Sequence, residues 1–157
     1  MPELFTIGHS NHDILDFMKM LHRHDIRVLV DIRSDPYSRY ASQFNKSDFQ
    51  RHVEAAEIDY RYSGNRIGGK PTDQSLYTAS GKPDYDKLAA TEQFQSELDA
   101  ILEIAERKKL VLMCSEADPM GCHRGRIIAQ VLRSRGVTVT HIMPDGSAAP
   151  TEQKELF

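Results

Sequence analysis

The amino-acid sequence predicts an α/β fold: one domain with a mostly parallel central sheet of about five strands, flanked by helices on both faces. Three observations predict it. Short apolar runs rich in β-branched residues recur at 4–7, 28–33, 110–114 and 137–142; segments with apolar residues at helical spacing fall between them; and no linker or repeat divides the 157 residues. Alternating strands and helices build parallel pairs through right-handed crossovers, which put helices on both sides of the sheet. The domain is expected over 1–143, with 144–157 as a C-terminal tail, frayed except where Leu156 and Phe157 dock.

The elements follow in order. The run Leu4-Phe5-Thr6-Ile7 stops at Gly8-His9-Ser10, after which Ile14, Phe17, Met18 and Leu21 mark one face of a helix that Ser10 or Asn11 is expected to cap. The second strand, 28–33, is nearly continuous in its apolar character, as befits a strand covered on both faces, and only Asp31 and Arg33 interrupt it. Asp35-Pro36 turns the chain away from helix, so 34–45 is expected as a loop. Residues 47–57 read as a helix, and the alternation of Ile58, Tyr60 and Tyr62 with Asp59 and Arg61 as an edge strand. The segment 63–83, with Gly64, Gly68-Gly69-Lys70 and Gly81, is the longest irregular stretch, and such loops tend to be functional. One long helix is expected over 84–108, then the buried strand 110–114. A loop from Ser115 leads into a helix bearing Ile127, Ile128, Val131 and Leu132, closed by Gly136 before the last strand.

Ligands of open parallel sheets bind beyond the carboxyl ends of the strands. That rule gathers Gly8-His9-Ser10, the stretch after Asp31, the Gly68-Gly69-Lys70 loop and the segment 114–124 at one edge. The last of these, which carries Cys114, Glu116, Pro119, Cys122, His123 and Arg124, is the densest in chemistry. Backbone N–H groups at a helix start and the Arg124 fork would suit phosphate or carboxylate. Asp31 and Arg33 share one side of their strand, free to pair with each other or to hold a ligand. His9 titrates near neutrality and suits acid/base work or a structural hydrogen bond. Cys122, or Cys114, could be a nucleophile beside cationic neighbours, or each a small buried residue. The phosphatase spacing of Cys, five residues, Arg is not met, since Met120 and Ile128 fall at those positions, and the two thiols match no standard zinc pattern. No metal and no cofactor are expected. Arg39, Tyr40, Arg66 and Lys70 add cations and a ring suited to a nucleotide or a short single strand.

Composition bounds the rest. A net charge of −3 argues against a surface built for bulk nucleic-acid binding, and two cysteines are too few for a disulfide scaffold. No run approaches the roughly 20 apolar residues of a membrane span, so no membrane partner is expected and the expected location is cytoplasmic. The oligomeric state stays open.

Taken together, Thr6-Ile7-Gly8-His9-Ser10, Asp31-Ile32-Arg33 with Pro36, Gly68-Gly69, and Glu116, Pro119 and Cys122-His123-Arg124 resemble the domain-of-unknown-function 488 family, over nearly the full chain. The resemblance implies an α/β fold with these blocks around one pocket; it implies no settled activity. The stretch 110–142 also resembles the end of a rhodanese domain, and Asp31-Ile32-Arg33 its early Asp-x-Arg strand, although the loop after Cys114 is longer here. The expected function is an enzyme binding a phosphate-bearing substrate, a nucleotide or nucleic acid. Ser10, Asp31, Arg33, Lys70, Cys122, His123 and Arg124 would hold the substrate, while Glu116 and His9 catalyse hydrolysis or glycosidic cleavage. The alternatives are sulfur transfer through Cys114 and a non-catalytic module for a small anionic ligand.

Overall fold

The computed structural model describes residues 3–116 and 127–150. Strand β1 (Glu3–Gly8) leads through helix α1 (Ile14–Arg23) to β2 (Val28–Asp31), and α2 (Lys46–Ala55) leads on to β3 (Asp59–Tyr62). The short helices α3 (Gly64–Ile67) and α4 (Tyr85–Ala90) precede α5 (Glu92–Ala105), β4 (Leu110–Cys114), α6 (Ala129–Ser134), β5 (Thr138–Ile142) and β6 (Ala148–Pro150). The six strands lie in the order β3-β2-β4-β1-β5-β6. The first five run parallel, and β6 is antiparallel to β5. The fold is therefore the α/β class expected, with β3 at an edge and one strand more than the sequence reading held.

Period-two alternation explains how each strand feeds two cores. Leu4, Val28, Val30, Leu110, Leu112 and Val139 face α5 and α6, where Phe94, Leu98, Ile101 and Leu132 bury with them. Phe5, Ile7, Leu29, Val111 and Met113 face α1 and α2, against Phe17, Met18, Leu21, Phe49 and Val53. Both faces of the sheet are thus covered, which is why its central strands read as unbroken apolar runs.

Local chemistry differs from expectation in four places. Helix α1 is capped by Asp13, whose carboxylate accepts from Leu15 N at 2.8 Å, not by Ser10 or Asn11. The helix expected over 84–108 is two helices, because Thr91 leaves helical geometry (ψ 147°) and its Oγ1 caps α5 by accepting from Phe94 N. The irregular stretch after β3 holds α3. Residues read as the start of a tail pair with β5, brought round by a turn in which Gly146 (φ 87°) donates to Met143 O and Asp145 accepts from Ser147 N. No helix among the described residues is long and apolar enough to cross a membrane.

Candidate functional site

The parallel register aligns the ends of three strands. Gly8 lies opposite Cys114, and Asp31 opposite Met113. The ladder runs two residues further, His9 N donating to Cys114 O and Ser10 N to Ser115 O, both at 2.9 Å. Ser10 adopts φ 47°, a left-handed conformation that sharply redirects the chain once the strand ends.

Below this edge lies a buried polar assembly centred on Arg33. Its Nε donates to Asp31 Oδ1 at 2.9 Å and its Nη2 to Asp31 Oδ2 at 2.8 Å, a two-point ion pair with both side chains at most 5% exposed. Tyr60 Oη donates to the same carboxylate at 2.6 Å, and Arg33 N also donates to it. On the other side Nη1 donates to His9 Nε2 at 3.2 Å, while His9 Nδ1 donates to Ser10 O at 2.7 Å. His9 is therefore held as the neutral Nδ1–H tautomer. Burial, reinforced by the Arg33 charge, pushes its pKa down to about 4 against the pull of the Ser10 carbonyl and Asp31. Phe44 stacks on the imidazole at 4.5 Å, and Phe49 lies 5.9 Å from the guanidinium carbon. Of the five N–H groups of Arg33, three meet these acceptors, and one on each terminal nitrogen has no acceptor among the described residues.

The segment after β3 is fastened to the exit of β2. Ser63 N donates to Asp31 O, and Tyr62 Oη donates to Arg33 O at 2.8 Å and Ser34 O at 3.2 Å. A Cβ on Gly64 would lie 1.8 Å from Arg33 O, and one on Gly68 2.3 Å from Ser34 Oγ, so neither position has room for a side chain. Ser34 Oγ in turn accepts from Lys70 N at 2.8 Å. The glycine loop is thereby brought to the strand ends.

A cavity of about 280 Å³ opens there, with Arg33, Asp35, Lys70, Tyr85, Cys114 and Glu116 among its lining residues. Two cations and two carboxylates thus share its wall. Cys114 is 7% exposed and its thiol donates to Glu116 O at 3.5 Å. Of the residues singled out in the sequence, Arg33, Lys70, Cys114 and Glu116 meet in this cavity; Asp31 and His9 lie behind Arg33; Ser10 is exposed beside Ser115. Cys122, His123 and Arg124 lie outside the described residues. A larger hollow, of about 520 Å³, lies at the opposite ends of β2 and β3, lined by Val28 and Asp59. Its charges are already paired, Lys108 with Asp59 and Arg107 with Glu103.

One buried acid escaped the sequence reading. Glu97 on α5, 3% exposed, accepts from Arg61 at 2.9 and 3.1 Å and from Ser63 Oγ, with Arg66 at 4.0 Å. Burial alone would raise its pKa, but the Arg61 and Ser63 hydrogen bonds outweigh that and hold it below the usual carboxylate value. The signal was available: Glu97 falls three residues after Phe94 and four before Ile101, on the buried stripe of its helix.

Comparison with known proteins adds a single finding. No curated protein and no solved structure gave a match. The family described as Domain of unknown function DUF488 matches residues 13–132, which takes in β2, the glycine loop and β4, and the chain belongs to that family.

Proposed function

We propose that the protein is an enzyme that takes a nucleotide unit, free or within a nucleic acid, into the cavity at the strand ends and cleaves it by acid/base catalysis. The bond cleaved is a phosphate ester or a glycosidic bond. One observation carries the reading: Arg33 lines the cavity with its buried guanidinium locked by Asp31 and His9, and one N–H on each terminal nitrogen has no acceptor among the described residues. A buried donor without an acceptor is costly, and an oxyanion supplies acceptors of matching geometry. Lys70 adds a second cation. Asp35 and Glu116 would face the hydroxyl or amino groups of the same ligand, which suits a molecule anionic at one end and rich in donors at the other. About 280 Å³ is near the lower end of small-molecule sites, room for one such unit.

In this reading Glu116 is the acid/base group, being an exposed carboxyl in the cavity wall. His9 acts by positioning Arg33, since its Nε2 lone pair is engaged and its ring stays neutral at physiological pH. The test is binding of inorganic phosphate and of nucleoside monophosphates by calorimetry, followed by turnover. Lys70→Ala should weaken binding about tenfold, and Glu116→Gln should lower turnover at least 100-fold with binding retained. Undiminished turnover in Glu116→Gln, or no binding of any monophosphate, sinks the proposal.

A second reading rests on Cys114 lining the same cavity as two cations, the setting of a sulfur-transfer thiol. It requires rapid alkylation of Cys114 at neutral pH in the folded protein. Protection until unfolding excludes it.

A further inference from the structure

Resting on the nucleotide reading, we infer that the substrate is a single-stranded nucleic acid, one unit entering the cavity while the bases beside it stack on Tyr37 and Tyr40. Among the described residues three large hydrophobic side chains are exposed, and two of them are these tyrosines, Tyr40 at 91% and Tyr37 at 57%. They stand two and five residues after Asp35, which lines the cavity with Ser34. Chain length alone places Tyr37 within about 7 Å of Asp35 and Tyr40 within about 18 Å, the scale of one to a few nucleotides.

The loop that presents them is built, not slack. Lys46 N donates to Pro36 O at 3.0 Å and closes its neck, Ser38 N donates to Asn45 Oδ1 at 2.7 Å, and Tyr40 N donates to Ser38 Oγ at 3.1 Å. Pro36, Ala41 and Phe44 anchor it in the interior. A hydrogen-bonded loop holding two rings in water, when neighbouring Tyr60 and Tyr62 are partly buried with bonded hydroxyls, is a surface suited to stacking. The charges point the same way. Arg39 stands between the two tyrosines in the chain without an ion-pair partner among the described residues, and Lys46 rests 5.2 Å from the Tyr62 ring, whose hydroxyl holds the backbone of the cavity wall. Cations interleaved with open aromatic faces bind single strands, in which the bases have free π-faces; a duplex offers none along its length.

The experiment measures anisotropy of 5′-labelled oligothymidylates of one, three and eight nucleotides and of an eight-base-pair duplex, against the intact protein. Affinity should rise about 30-fold from one nucleotide to three, and the single strand should outbind the duplex. The Tyr37→Ala, Tyr40→Ala double variant should lose that gain while binding thymidine monophosphate as before, and phenylalanine at both positions should retain it. Arg39→Ala should lower the slope of log affinity on log salt by about 0.7. A trinucleotide that binds no tighter than the monophosphate, or an alanine double variant that keeps the gain, overturns the inference and leaves the cavity reading standing. Failure of the monophosphate itself to bind removes both.

Discussion

Asp31 is the residue on which the site depends most, because it is fully buried and accepts from Arg33 side chain, Arg33 backbone and Tyr60 together. Removing one member of a buried pair strands the other, so Asp31→Ala should destabilise the fold by about 3–5 kcal/mol in urea unfolding. Tyr60→Phe removes one hydrogen bond and should cost about 1–2 kcal/mol. His9 gives a pH dependence with a definite sign. Its folded pKa of about 4 lies below the unfolded value near 6.5, so between those values only the unfolded chain binds the proton. Stability should be level in this respect above pH 6.5 and fall as pH drops through the window, by about 3 kcal/mol at its foot. Unfolding at pH 7 and pH 4.5 checks it: the wild type should lose about 2 kcal/mol more than His9→Gln. At this scale the sequence was half legible. Asp31 and Arg33 stood out as charges inside an apolar strand, but whether His9 would offer or surrender its lone pair depended on Arg33, 24 positions away, and pairings at that distance leave no periodic trace.

At the level of elements, the turn and cap chemistry mattered more than apolar patterning. Thr91 divides what patterning alone reads as one helix: Leu88 is buried before it, and Phe94, Leu98 and Ile101 keep helical spacing after it. Thr91→Ala should cost about 1 kcal/mol by removing the α5 cap, measured as a shift in the urea midpoint. Pro144-Asp145-Gly146 is likewise a turn signature with a mechanism, proline fixing φ and glycine supplying the positive φ that Gly146 adopts. The polar residues beyond it read as a tail and mask that signature. Gly64 makes the firmest prediction. Alanine there would drive Cβ into the Arg33 carbonyl, which cannot yield without disturbing Arg33, and should destabilise by about 3 kcal/mol and weaken monophosphate binding together. A Gly64→Ala protein with unaltered melting temperature would contradict this contact.

For the molecule as a whole, the sheet and its two helical layers were readable because central strands covered on both faces must be apolar throughout, and helices covering them must be apolar on one side. The rule that parallel sheets bind at their carboxyl ends then brought Arg33, Lys70, Cys114 and Glu116 to one cavity without any contact information. Depth was not readable: nothing in the spacing separates His9 and Asp31, behind the wall, from the residues that form it. The two cores share every central strand, so heat or urea should unfold them in one transition, with fluorescence and circular dichroism curves superimposing.

The fastening of Gly64, Gly68 and Lys70 onto Arg33 and Ser34 has a further effect. It pins the chain on the near side of residues 71–83, so that this stretch can be cut, lengthened or decorated without the disturbance travelling back to the guanidinium. A spin label or an inserted affinity sequence placed near Gly81, whose surroundings are open, would thus report on the protein while leaving the strand-end cavity as it was.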